Sequence, residues 1–221
     1  MKRFLSISFC ALALGSTALA GTVLAQPAAP AEAPKPKGFA LEGKLISLDG
    51  MKLTVEGADG KPRSVMLTAD TRLIRVSKIS IDQIKPGSFV ATANSADAGV
   101  SSELRVFAPP LNGLGEGSFP MQDGENMTNG TVNTVVTSAK GRELDVGYAP
   151  KCKDHLDSPR CKSGTRHITV PADMVIRQWD KIEVGALKPG IAVSAQGYTL
   201  GDAAPVIRAV FIGENGAPPP K

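Results

Sequence analysis

The amino-acid sequence predicts an all-β fold made of two tandem copies of one small barrel. The first observation is a repeated phrase, because residues 83–90 read QIKPGSFV and residues 186–193 read ALKPGIAV. The second is that other landmarks recur in the same order around this phrase. The third is that apolar and polar residues alternate within each copy, which is the pattern of strands with one buried face. A duplication followed by insertions accounts for all three observations.

The landmarks shared by the two copies are separated by an offset that only grows along the chain. Residues 43–45 match residues 130–132 at an offset of 87, and residues 53–55 match residues 144–146 at an offset of 91. The offset is 103 for residues 65–67 and 85–87, and 104 for Val106-Phe107 and Val210-Phe211. Chance matches would not keep this order. We therefore predict barrels over residues 39–111 and 127–213.

The first copy predicts three strands, one helical turn and two further strands. Tight-turn dipeptides, Asp49-Gly50 and Asp59-Gly60, separate the early strands. Ser80 is suited to cap a single helical turn, which Pro86-Gly87 ends before a strand over residues 88–93. Five short strands with a helix between the third and the fourth is the order of an OB-type barrel.

The Lys-Pro-Gly phrase marks the same corner in both copies. Gly87 and Gly190 are expected to adopt a backbone conformation that other residues resist. Lys85 and Lys188 are expected to be solvated residues of this corner, because a charge beside a turn is usually exposed.

The two ends of the chain predict export. Residues 1–25 have the layout of a cleaved signal peptide, with Lys2 and Arg3 before an apolar stretch and Val23-Leu24-Ala25 as the cleavage site. The alternative is an uncleaved anchor, which the Ser, Thr and Gly residues of the stretch disfavour. Residues 26–38 read as a Pro/Ala-rich linker and residues 214–221 as a disordered tail. We expect a periplasmic protein with no membrane span after signal removal.

Composition and motifs disfavour two classes of function. Without Lys2 and Arg3, the chain has 23 Lys and Arg against 21 Asp and Glu residues, and only 5% of its residues are aromatic. A basic groove with stacking aromatics is absent, so nucleic-acid binding is not expected. The motifs of a nucleophile elbow, an HExxH zinc site and a phosphate loop are absent too, so we expect a non-catalytic protein without a cofactor.

An insertion in the second copy contains the two cysteines that remain after signal cleavage. The offset jumps from 91 to 103 within residues 147–165, which include Cys152 and Cys161. In an exported chain this pair predicts a disulfide, which stabilises by about 2–3 kcal/mol in the chain-entropy model. The alternative is a zinc or copper site formed by Cys152, His155, Cys161 and His167, although their spacing is not that of a standard zinc finger.

Three residues are candidate contacts for a ligand. Residues 112–126 form a Gly-rich connector, expected to be a flexible loop between the barrels. The alternative is a loop that covers a ligand between the barrels, with Glu116 and Asp123 as polar contacts. Trp179, placed between a strand and the second helical turn, is interpreted as a cap over a barrel end, with a ligand platform as the alternative.

The first copy also resembles a known family. Its pattern G-x-L-x-S-L-D-G…L-T-V…D-G…V-x-L…T-R-L…K-P-G-x-x-V is similar to OB-like domains found in exported bacterial proteins (domain-of-unknown-function family 5666), and residues 111–132 resemble the middle of two-copy members. The resemblance covers most of residues 39–213 and implies a fold more than an activity. Some members carry labels that point to metal transport. We therefore expect an exported interaction protein for an envelope protein or glycan; the alternatives are an accessory protein for periplasmic copper or zinc handling and, third, an enzyme.

Overall fold

The computed structural model describes residues 35–121, 124–139, 141–153 and 158–219. In these ranges the chain is almost entirely β-structure, with only short 3₁₀ turns besides the strands, so the all-β prediction is confirmed. No helix in the described ranges has the length and hydropathy needed to cross a membrane. The predicted signal peptide and the linker up to residue 34 lie outside the described residues.

In the described residues, both repeats contain six strands, one more than the five predicted, with a short 3₁₀ turn between the fourth and the fifth. The first comprises β1 (Pro36–Asp49), β2 (Lys52–Glu56), β3 (Pro62–Met66), β4 (Arg72–Ile79), η1 (Ile81–Gln83), β5 (Phe89–Ser95) and β6 (Ser101–Phe107). A short strand, β7 (Gly117–Pro120), follows in the connector. The second comprises β8 (Glu125–Ser138), β9 (Gly141–Tyr148), η2 (Pro159–Cys161), β10 (Gly164–Pro171), β11 (Ile176–Lys181), η3 (Val184–Ala186), β12 (Ala192–Leu200), β13 (Val206–Gly213) and η4 (Glu214–Gly216).

All of these strands belong to one sheet, and the repeats exchange strands within it. The order is β10-β9-β8-β5-β6-β11-β4-β13-β12-β1-β2-β3, with β7 paired to β8. The first strand of each repeat pairs antiparallel with the fifth strand of the other, since β1 pairs with β12 and β8 with β5. At the centre, β4 and β11 pair with each other, and each also pairs in parallel with the last strand of the other repeat.

The prediction that residues 39–111 and residues 127–213 each form their own barrel is not confirmed. The first hydrophobic core combines β1–β3 with β12 and β13, so that Leu45 and Val193 belong to it together. The second core combines β8–β10 with β5 and β6, so that Val132 and Val90 belong to it together. Because the repeats carry the same strand pattern, the edge that one copy offers is equally suited to the equivalent strand of the other copy.

The two Lys-Pro-Gly corners hold this exchange in place. Gly87 and Gly190 have φ values of 90° and 96°, as predicted for positions that favour glycine. The Gly87 N–H donates to the carbonyl oxygen of Val132 at 2.8 Å, and the Gly190 N–H donates to that of Leu45 at 2.8 Å. Each corner is therefore hydrogen-bonded to the first strand of the other repeat.

Candidate functional site

An aromatic cluster lies on the face of β5, β6, β11 and β13 that is opposite to the two cores. Side chains alternate between the two faces of a strand. Val106 lies in the second core, whereas its neighbour Phe107 packs on the opposite face against Phe89 of β5 and Trp179 of β11, at ring-centroid distances of 5.9 and 5.2 Å. Phe211 of β13 continues the cluster at 5.0 Å from Trp179.

Strand register explains why these rings meet. Trp179 is the partner of Phe107 in the parallel β6–β11 pair and of Val76 in the antiparallel β4–β11 pair. Phe107 is in turn the partner of Phe89. Side chains in one row across a sheet are close enough to pack together. The structure therefore places Trp179 within a strand, not in the link after it, and leaves its indole half-buried.

Two arginines and a glutamate lie beside the indole. Arg105 and Arg177 are direct partners in the β6–β11 pair, and the Arg105 guanidinium lies 5.0 Å from the centroid of the Trp179 ring, a cation–π geometry. Both guanidiniums donate to the same Glu103 carboxylate oxygen, Arg105 at 2.5 Å and Arg177 at 3.3 Å. One carboxylate thus serves two cations, and the buried Nε of Arg177 has no hydrogen-bond partner among the described residues.

These side chains line a cavity of about 500 Å³, here called the central cavity. Its size falls within the range of small-ligand sites. Val76, Trp179 and Phe211 supply apolar surface, and Ser194 and Gln196 of β12 add polar groups to those of the arginines. The rest of the lining comes from Glu42, Gly43, Glu103, Arg105, Arg177, Ala192, Val193, Pro218 and Pro219.

Glu116, another predicted ligand contact, does not join Trp179. Glu116 lines a different cavity, together with Asn129 and Arg160. Its carboxylate accepts a hydrogen bond from the Ala149 N–H at 3.0 Å, so it ties the connector to the segment that follows β9. Asp123 lies outside the described residues. The connector also forms β7, which pairs with β8 and gives this part of it regular structure.

The predicted disulfide between Cys152 and Cys161 is present. Their Cα atoms are 5.8 Å apart, within the usual range for such bonds. The bond occupies both sulfurs, which leaves no thiolate at either position to bind a metal. His155 lies outside the described residues, and the described residues contain no group of three or more His, Cys, Asp or Glu side chains placed to hold a metal ion.

His167 instead takes part in a polar cluster on the β9–β10 hairpin. Its Nδ1 lies 2.9 Å from an Asp145 oxygen and its Nε2 lies 3.1 Å from a Glu143 oxygen. The Asp145 hydrogen bond is the main cause that raises the pKa of His167, against an opposing effect of burial. Hydrogen bonds lower the pKa of Asp145, chiefly one from Thr134, and the pKa of Glu143, chiefly one from Thr169.

His167→Gln is expected to lower the free energy of unfolding at about pH 5.5 and to change it much less at about pH 8.5. The interactions that raise the pKa of His167 stabilise the folded protein fully below pH 6.5, the ordinary pKa of histidine. This stabilisation is lost as pH rises through the higher pKa of the folded state. The hydrogen bonds that lower the pKa values of Glu143 and Asp145 stabilise the folded protein above pH 4.5 and 3.8, the ordinary pKa values of the two groups. This stabilisation is lost as pH falls through the lower pKa values of the folded state. Urea unfolding of both proteins at the two pH values measures the difference. An equal difference at both would show that the ion pairs do not contribute.

No family model, curated protein or solved structure matches the chain. The functional interpretation therefore depends on the chemistry of the central cavity.

Sequence reasoning identified Trp179 but missed Glu103, Arg105 and Arg177. The available signal was the alternation of residues 103–107, in which charged residues at 103 and 105 flank the buried Leu104.

Proposed function

We propose that this chain is an exported, non-catalytic binding protein that holds its ligand in the central cavity. The observation that carries the proposal is a half-buried tryptophan beside two arginines that share one carboxylate. An apolar surface with a few converging polar groups is the usual composition of a ligand site. The cavity also combines residues from both repeats, since Arg105 comes from the first and Arg177 from the second.

The state of Arg177 supports a ligand with hydrogen-bond acceptors. A buried donor without an acceptor costs about 1–3 kcal/mol, and more when the group is charged. A ligand oxygen next to Nε would remove that cost. The Trp179 ring would meanwhile pack against an apolar part of the ligand.

The position of the titrating cluster supports binding over catalysis. Catalytic acids and bases have perturbed pKa values at the site where substrate binds. Glu143, Asp145 and His167, whose pKa values are shifted, lie on the β9–β10 hairpin and do not line the central cavity. Export is supported by the Cys152–Cys161 bond, because disulfides persist in oxidising compartments such as the periplasm. An envelope protein or a glycan is the partner class we propose.

Trp179 fluorescence tests the proposal, because Trp179 is the single tryptophan of the chain. The probes are the proline-rich hexapeptide GAPPPK, a disaccharide of N-acetylglucosamine and benzoate. We expect at least one of them to change the emission in a saturable way. Arg177→Met should weaken that binding about tenfold or more, the loss expected for a hydrogen bond to a charged group.

Arg63→Met is the matched control, because Arg63 is an exposed arginine paired with Asp59 at 2.7 Å outside the cavity. It should leave the binding unchanged. If none of the three probes changes the emission, or if both arginine variants weaken binding equally, the central cavity is not the binding site.

A further inference from the structure

The C-terminal residues turn back towards the central cavity instead of continuing away from β13. Asn215 and Gly216 have φ values of 52° and 78°, and these left-handed conformations reverse the chain. The Ala217 N–H donates to the Glu214 carbonyl oxygen at 3.0 Å, and the Gly213 N–H donates to the Ala217 carbonyl oxygen at 3.1 Å. Within residues 214–221, predicted to be a disordered tail, Ala217 is thus hydrogen-bonded to Gly213 at the end of β13.

Gly213 permits this close approach. A Cβ atom at this position would lie 2.6 Å from the carbonyl oxygens of both Ala217 and Pro218. The backbone of Gly213, with φ −89° and ψ −177°, is one that any residue adopts, so its own conformation does not require glycine. The returning segment is what a side chain at residue 213 would displace.

The residue that precedes the cavity-lining prolines has the backbone conformation of a polyproline II helix. Ala217 has φ −65° and ψ 160°, close to the values of that helix. Pro218 and Pro219 follow and line the central cavity, and Pro219 is half-buried. A polyproline II segment has no internal hydrogen bonds, and proline has no N–H, so the prolines of such a segment offer carbonyl acceptors only.

The central cavity has the matching chemistry. Proline-rich segments dock on grooves lined by aromatic side chains, which Trp179 and Phe211 provide here. The carbonyl groups of such a segment require donors, and the buried Nε of Arg177 is a donor that the carbonyl groups of residues 217–219 leave without a partner. Arg105 and Gln196 add further donor groups to the lining.

We propose that the central cavity binds proline-rich segments in the polyproline II conformation, and that residues 217–219 are an internal ligand at its rim. This inference rests on the proposed function, because it names the ligand class of the same site. A proline-rich segment of another protein would have to displace the internal one. The tethered segment has an effective concentration in the millimolar range, so it weakens binding of any competitor.

The test compares the full chain with a chain that lacks residues 217–221, using the hexapeptide GAPPPK, which is the sequence of residues 216–221. Deletion should move the Trp179 emission to longer wavelength, because water replaces the prolines. GAPPPK should reverse that change and bind the shortened chain about tenfold or more tightly than the full chain. The peptide GAAAAK should do neither.

Gly213→Ala in the full-length chain provides a second route, since the added methyl group displaces the segment without removing it. It should reproduce the emission and the GAPPPK affinity of the shortened chain. Gly185→Ala is its control, because nothing lies within 4 Å of a Cβ at Gly185. Urea unfolding of each variant establishes that it is folded.

The outcomes separate this inference from the proposed function. If GAPPPK and GAAAAK behave alike while the disaccharide or benzoate still binds at Trp179, the proline-rich ligand is wrong and the binding function stands. If no probe affects Trp179 in either chain, both proposals are wrong. If deletion leaves both the emission and the GAPPPK affinity unchanged, residues 217–219 are not an internal ligand.

Discussion

Gly43→Ala is expected to destabilise the protein by about 3 kcal/mol or more, because the added methyl group has no room inside the sheet. A Cβ at Gly43 would lie 1.9 Å from the carbonyl oxygen of Glu56 and 3.0 Å from a methyl carbon of Val55. Glu56 lies on β2, where it is the strand partner of Lys44, the residue after Gly43. The Glu56 oxygen can move away only if β1 and β2 separate, which would open the first core.

Gly130→Ala, the equivalent substitution in the second repeat, should also destabilise the protein. A Cβ at Gly130 would lie 2.3 Å from the carbonyl oxygen of Gly147 on β9. Gly38→Ala is the matched control on β1, because nothing lies within 4 Å of its Cβ, and it should be neutral or slightly stabilising. Urea unfolding midpoints of the three variants provide the measurement. Equal midpoints for Gly43→Ala and Gly38→Ala would mean that β1 and β2 do not approach each other as closely as this.

Glycines 43 and 130 also show what the sequence could reveal. Their recurrence identified the duplication, but the reason for glycine, a close approach between neighbouring strands, depends on a three-dimensional contact that no local pattern encodes. The Lys-Pro-Gly corners were predictable in more detail, because Gly87 and Gly190 satisfy a local backbone requirement. The Cys152–Cys161 bond was predictable from the cysteine count together with the predicted export of the chain.

The central strands β4 and β11 could not be predicted from alternation. Leu73 and Ile79 of β4 pack against different cores, whereas Ile74 and Val76 pack beneath Phe211 on the opposite face. A strand that contributes to three apolar clusters has no simple period of two, so the pattern that revealed the other strands fails here. For that reason the sequence predicts a link at Trp179, where the structure has β11.

The polar part of the central cavity was missed for a related reason. Arg105 and Arg177 are separated by 72 positions in the sequence, and each alone is an ordinary charged residue of a strand. They become neighbours only because β6 pairs in parallel with β11 of the other repeat. The strand exchange therefore creates the central cavity, which cannot be predicted from the sequence of either repeat alone.

Leu45→Ala and Val193→Ala are expected to be energetically coupled, whereas Leu45→Ala and Val90→Ala are expected to be additive. Leu45 and Val193 lie in the same core although they come from different repeats. Val90 is the counterpart of Val193, because Val90 pairs with Gly130 as Val193 pairs with Gly43, yet it lies in the other core. Leu45→Ala alone should cost about 2–5 kcal/mol.

Double-mutant cycles by urea unfolding measure the coupling. Residues that share a cavity show interaction energies of about 0.5–3 kcal/mol, and distant residues add within about 0.3–0.5 kcal/mol. Coupling of Leu45 to Val90 instead of Val193 would mean that each repeat closes its own barrel in solution. The same result would remove the central cavity, because Glu42 of β1 and Ser194 of β12 meet across its lining only when the strands are exchanged. The first core and the central cavity therefore both depend on the pairing of β1 with β12.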